Sequence, residues 1–134
     1  MDNIKGDTPL LKKVDAVLVK VPDIETGINF YCKQLGQQLI WRKDTMAAVS
    51  LGESELVLST TLDPETDILV ESVEEAVEAI VKAGGSVVVE VQDIPVGKAA
   101  VVKDPFGNHL TLVDLSKGTY QTDEAGNVTG LQKP

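Results

Sequence analysis

The chain has a single cysteine and a single histidine, and that scarcity excludes several kinds of chemistry before any motif is read. Cys32 alone cannot close an internal disulfide, and a lone thiol fits a reducing cytoplasm. His109 has no second His or Cys beside which to build a metal or nucleophile constellation. Apolar runs are also short. None approaches the roughly 20 residues of a membrane helix, and MDNIKGDTPLLKK lacks the apolar core of a secretory signal. The predicted location is therefore the cytoplasm, with no membrane partner. Basic residues are the scarcer charge, 12 Lys and Arg against 21 Asp and Glu, for a net charge of −9. Such a chain repels phosphate backbones and shows no basic stripe, so nucleic acid is not an expected partner. Acidity chiefly keeps a protein soluble; where it selects a ligand, it selects a cationic one.

What is present is the make-up of a single globular domain, 134 residues with 43% apolar and 25% charged side chains. Residues 1–12 read as a flexible arm. Val14–Val21 is short and rich in β-branched residues, which predicts a strand. Asp23 can cap a helix whose apolar positions run from Ile24 to Leu35, with Gly36 as its stop. Strands are predicted over Gln38–Arg42, Met46–Leu51 and Glu55–Thr60. The same order then repeats. A strand at Asp67–Val70 leads to a capping box at Ser72-Val73-Glu74-Glu75 and a helix buried through Val73, Ala76, Val77, Ile80 and Val81. Gly84-Gly85 ends it, and strands follow at Ser86–Val91, Ala99–Lys103 and His109–Leu115. Sliding by 49 residues lays Val19, Val21, Ile24 and Ile28 on Ile68, Val70, Val73 and Val77, while Glu55–Leu58 matches His109–Leu112. The expected organisation is two βαβββ modules, residues 13–62 and 63–115, acting as one domain. Residues 116–134 are expected as a polar tail with a turn at Glu124–Asn127.

This duplication, the helix motif F-Y-x-x-x-L-G (Phe30 to Gly36) and the turn D-P-x-G-N (Asp104 to Asn108) together resemble the vicinal oxygen chelate superfamily. Its members include glyoxalase I, bleomycin-resistance proteins, fosfomycin-resistance enzymes and extradiol dioxygenases. The resemblance covers about residues 13–115. It implies an α+β fold: two tandem modules forming curved mixed sheets around a cup-shaped cavity, helices outside, and a homodimer. In metal-using members the ligands are His, Gln or Glu on the first and last strands of each module, where a divalent metal chelates neighbouring substrate oxygens. Those four places fall on Ala16, Val57, Glu65 and Thr111. Only Glu65 is a good ligand, since alanine and valine have no donor and a neutral threonine hydroxyl is a poor one. The chain therefore departs from the metal pattern at three of the four places. No cofactor and no catalytic residue are therefore expected, and the pattern leans away from an enzyme.

Alternation places Leu18, Trp41, Val57, Glu65, Asp67, His109 and Thr111 on the cavity side. His109 could serve as an acid–base group, yet a solitary histidine after a turn reads first as a half-exposed strand residue. Trp41 can stack on a flat or cationic ligand. Glu65 and Asp67 follow Pro64 at a module junction, where solvated carboxylates are commonplace. Cys32, on the apolar stripe of the first helix, reads as core. Three functions follow. The first is metal-independent binding of a small amphipathic or cationic molecule. The second is a metal-dependent lyase, epimerase or dioxygenase using shifted ligands: Glu65, His109 and one more carboxylate, such as Asp67 or Glu55. The third is an accessory module whose cup is filled by its own side chains, Tyr120 among them.

Overall fold

The computed structural model describes residues 9–134, so positions 1–8 of the expected arm lie outside the described residues. β-Branched and apolar residues at alternate positions form β1 (Lys13–Lys20), which turns Ala16 and Leu18 to one face and Val19 to the other. Asp23 then caps the first helix as predicted, its Oδ1 accepting the Thr26 N–H at 2.7 Å. The helix has two parts. One α-helical stretch, α1 (Ile24–Ile28), widens into π-helical turns over Asn29–Gln34 and stops at Gly36, whose φ of +84° suits a residue without Cβ. Strands β2 (Leu39–Arg42), β3 (Met46–Leu51) and β4 (Ser54–Ser59) complete the first half.

The second half repeats the order with β5 (Glu65–Leu69), α2 (Val73–Lys82), β6 (Ser86–Ile94), β7 (Gly97–Lys103) and β8 (His109–Val113). Ser72 caps α2 by accepting the Glu75 N–H at 3.3 Å, the forward half of the predicted capping box. All eight strands form one curved mixed sheet in the order β2-β3-β4-β1-β5-β8-β7-β6. Within each half the first and last strands run parallel, β1 with β4 and β5 with β8, and the halves meet through antiparallel β1 and β5. The Leu18–Val57 pair in the first half has its counterpart in Asp67–Thr111 in the second, as the 49- and 54-residue offsets of the repeat require.

Both helices lie on the same face of the sheet. Under α1, Ile24 packs with Ala47, Val49 and Leu58; under α2, Val73 and Ala76 pack with Ala100, Val102 and Leu112. Leu58 and Leu112 are completely buried, and each such side chain stabilises the fold by roughly 1.5–3 kcal/mol through burial alone. No helix among the described residues is long and apolar enough to cross a membrane.

The polar tail differs from expectation. It forms β9 (Thr119–Thr122) and β10 (Val128–Gln132), a separate antiparallel hairpin. Its turn, Asp123 to Asn127, has the hydrogen bonds of the turn from Asp104 to Asn108. In each, the aspartate Oδ1 accepts two backbone N–H groups at 2.9 Å, the asparagine amide donates to Oδ2, and glycine has φ between +90° and +95°.

Candidate functional site

Strand register assembles the candidate site on the inner face of the sheet, the one away from the helices. Residues paired across strands share a face, and two rows of pairs cross the seam between the halves. One row runs Ser50–Glu55–Ala16–Asp67–Thr111–Val101–Val89. The other runs Trp41–Ala48–Val57–Leu18–Glu65, and His109 lies on the same face two residues before Thr111. The first row is polar at its centre; the second is apolar until it reaches Glu65.

The polar row concentrates carboxyl groups. Asp67 is pushed up to about 9, foremost by burial, then by contact with the Glu65 carboxyl and the charge of Asp15. It is therefore protonated at neutral pH, and its buried Oδ1 has no hydrogen-bond partner. Burial also raises Glu55, and Asp15 raises it further, while the N–H of Trp41, 3.2 Å from Glu55 Oε1, works the other way. Asp15 itself is raised by burial against the opposing charge of Lys13. Strict alternation would turn Asp15 away from Ala16. A shift in the β1–β5 register between Val14 and Ala16 accompanies its approach to Glu55 and Asp67, which a sequence pattern does not reveal.

The apolar row is covered by the C-terminal hairpin. Trp41, only 7% exposed, clusters with Ala16, Leu18, Ala48 and Val57, and Tyr120 and Val128 pack on that cluster from the hairpin. The Tyr120 ring meets Trp41 edge-on at 4.8 Å and 61°, and Lys43 Nζ donates to the Tyr120 hydroxyl at 2.5 Å. The Lys43 ammonium also stands 5.9 Å from the Trp41 ring centroid, the place a cationic ligand would take.

Seven candidate residues thus divide into two groups. Leu18, Trp41 and Val57 are buried beneath the hairpin, so this half of the cup is filled by the chain itself, Tyr120 included. Asp67 and Thr111 are half-buried, and Glu65 and His109 are exposed, across the other half. A cleft of about 630 Å³ follows the hairpin seam past Arg42, Lys43, Asn127 and Val128, and another of about 700 Å³ lies by Lys12, Leu69 and Leu115. Neither is lined by Glu65, Asp67 or Thr111.

Asp15 and Lys43 belong to the site and were not singled out from sequence. Asp114 was also missed. Its buried carboxylate ties Val73 at the start of α2 to Lys98 and Ser116. The signal for it was a charged residue ending an apolar strand.

The donor set does not fit a divalent metal. Of the four places that hold ligands in metal-using members, Ala16 and Val57 are buried apolar residues with no donor atom, and Thr111 offers only a neutral hydroxyl. Among the described residues no three His, Cys, Asp or Glu side chains are grouped to hold a metal ion.

Comparison with known proteins places this geometry. A family model described as a glyoxalase-like domain matches residues 16–113. No curated protein matches the chain. Among solved structures, a hypothetical protein from Bacillus halodurans C-125 is 18% identical with a TM-score of 0.63, over 84% of this chain and 98% of that one. Methylmalonyl-CoA epimerase from Mycobacterium tuberculosis is 17% identical with a TM-score of 0.62, over 81% and 91% respectively. An extradiol ring-cleaving dioxygenase from B. fuscum is 19% identical with a TM-score of 0.58, over 80% of this chain and 33% of its own.

Proposed function

The chain belongs to the glyoxalase-like domain family of the vicinal oxygen chelate superfamily, and from that premise we propose that it binds a small amphipathic molecule on the inner face of its sheet without a metal. The observation that carries this reading is Asp67. A neutral carboxyl at the centre of that face, with one oxygen buried and unpartnered, is an unmet hydrogen-bonding demand that a ligand would satisfy. The ligand's polar end would lie along Asp67, Glu65 and Thr111, where a cationic or N–H group meets carboxyl oxygens. Its apolar part would reach Leu18 and Val57 where it displaces Tyr120 of the hairpin, which covers them. His109 stands at the open end of the same face, available for a further hydrogen bond. Specificity in this arrangement comes from the polar row and affinity from the apolar one. The chain would work in the cytoplasm, where Cys32 stays a thiol, and as a homodimer. Exposed Val87, Val88 and Val89 along edge strand β6 agree with a second copy covering that edge.

The test is calorimetric titration with a panel of amphipathic amines and aromatic metabolites, run on the native protein and on Asp67→Ala, which removes the carboxyl altogether. Saturable binding that weakens at least about tenfold in the variant is expected, the loss of one well-placed hydrogen bond in a partly dry site. No binding across the panel, or equal binding by both proteins, would sink the reading. An enzymatic reading, with the epimerase and dioxygenase above as fold relatives, requires a metal held through Glu65. Near-stoichiometric Ni²⁺, Zn²⁺, Mn²⁺ or Fe²⁺ that is retained after purification and lost in Glu65→Ala would replace the binding function with that one.

A further inference from the structure

We propose that Tyr120 stands in for a ligand: the patch on Trp41 beneath the β9–β10 hairpin is a subsite for a single phenolic ring, and the hairpin is a lid that yields to it. The inference rests on the binding function above and locates a second part of that site.

The contacts of Tyr120 define the ring that would replace it. Its edge lies 4.8 Å from the Trp41 ring at 61°, a favourable aromatic geometry. Its hydroxyl accepts a hydrogen bond from Lys43 Nζ at 2.5 Å, so the subsite supplies a cationic donor for a phenolic oxygen. Ala16, Leu18, Ala48 and Val57 form an apolar floor that needs no side-chain polar group from the occupant. A planar ring with one oxygen at its far end matches all three features. A cationic ring does not, because Lys43 already holds the positive charge there.

The hairpin is built to separate from the sheet as a unit. Its strands hydrogen-bond to each other and not to the eight-stranded sheet. Its turn is closed internally by Asp123 and Asn127, so it can keep its shape when lifted. The link from its turn to the sheet is a bridge between Arg42 and Asn127, with the Arg42 N–H donating to the Gly126 carbonyl at 2.8 Å. At the stem, Gly118 has φ of +130° and follows Lys117, which is anchored through its N–H to the Val96 carbonyl at 2.9 Å and through Nζ to Asp93 at 3.0 Å. Lys117 is thus a fixed post where the hairpin leaves the sheet, and Gly118 makes the turn beside it. A cleft of about 630 Å³ lies at this bridged end of the hairpin, bordered by Lys43 and Val128, both of which also border the Tyr120 patch. A two-stranded hairpin is marginal by itself, so its docked state depends on Tyr120 and Val128 and opens below the free energy of global unfolding. While it is docked, Tyr120 competes with the ligand, and the apparent affinity falls by the fraction of molecules that are open.

The experiment uses the full chain with 4-methylphenol, the free counterpart of the tyrosine side chain, and toluene as the ring without its oxygen. Trp41, the only tryptophan, reports binding by fluorescence, and hydrogen exchange reports residues 119–132. In the native protein, hairpin amides are expected to exchange at least about a hundredfold faster than those of β3 and β4. Saturating 4-methylphenol should quench Trp41 and speed hairpin exchange further, while toluene does so more weakly. Tyr120→Ala should bind 4-methylphenol about tenfold more tightly than the native chain, and Lys43→Met should remove the preference over toluene. The proposal is overturned if the hairpin exchanges as slowly as β3 and β4 and 4-methylphenol leaves it unchanged, a result that does not depend on any variant folding. It is also overturned if neither protein binds the ring. A ligand whose binding is lost in Asp67→Ala but leaves hairpin exchange unmoved sinks the lid and keeps the function proposed above.

Discussion

Removing the Asp114 side chain should destabilise the fold more than any surface change. The residue is 2% exposed and its carboxylate accepts from four donors. Oδ2 takes the Val73 N–H at 2.9 Å, and Oδ1 takes the Lys98 N–H at 3.0 Å, the Ser116 N–H at 3.2 Å and the Ser116 hydroxyl at 2.7 Å. In Asp114→Ala the Ser116 hydroxyl can turn to water, but the Val73 and Lys98 N–H groups lose their acceptor where water reaches poorly. At about 1–3 kcal/mol for each stranded donor, the loss is about 4 kcal/mol, or about 14 °C in Tm at the unfolding entropy of a chain this size. Urea unfolding followed by Trp41 fluorescence, with Tm by calorimetry, measures it. Burial works to raise the Asp114 carboxyl, and the hydrogen bonds from Val73, Ser116 and Lys98 outweigh it, so its pKa lies below the usual carboxylate value of 3.8. The stability it contributes is therefore present above pH 3.8 and is lost as pH falls through the lower folded value. The gap between the two proteins should be level near neutrality and narrow below that point. A drop in Tm under about 3 °C, or a gap that widens in acid, would refute this account of how α2 is tied to the sheet.

Asp67 predicts the opposite pH behaviour. Its folded value of about 9 lies far above 3.8, so the folded state holds the proton more tightly and stability falls as pH rises between those values. Asp67→Asn should therefore stabilise the protein at pH 8 by about 2 kcal/mol, allowing for the solvent that still reaches the group, and should gain nothing near pH 4. A gain that persists in acid would contradict it. A Cβ on Gly97 would stand 2.2 Å from the Asp114 carbonyl oxygen and 2.3 Å from its Oδ1. Gly97→Ala should consequently cost about 3 kcal/mol and be non-additive with Asp114→Ala in a double-mutant cycle. Leu112→Ala, at the completely buried centre of the α2 cluster, should cost about 2–5 kcal/mol in urea unfolding.

Most of the eight-stranded fold was legible because its signals are local. Met46–Leu51 is strand β3 at the predicted limits, and the Ser72 cap starts α2 where predicted. The hairpin was legible too, but only by comparison: D-x-x-G-N occurs at residues 104–108 and again at 123–127. The turn at Glu124–Asn127 was expected, but the strands beside it lie in a polar segment with few apolar positions, and that composition concealed them. The inner face was read correctly as a face, since Leu18, Trp41 and Val57 meet on it. Tyr120, some eighty residues from Trp41, was named as a side chain that could fill the cup, and it packs on that face; the hairpin that carries it there was not expected. Asp15 was hidden for a different reason. A shift of one residue in pairing breaks the alternation on which any strand reading depends.

The seam between the halves has a symmetry that bears on the chain's history and assembly. Val17 pairs with Thr66, which is also its own counterpart in the 49-residue repeat. Ala16–Asp67 and Leu18–Glu65 stand equally to either side. A pseudo-two-fold axis therefore passes through the Val17–Thr66 pair, and β5 meets β1 as a second copy of β1 would. A chain ending at Asp63 would leave that edge of β1 bare, with its N–H and C=O groups unpaired. Two such chains could close the gap by isologous pairing, each edge serving as the other's missing partner.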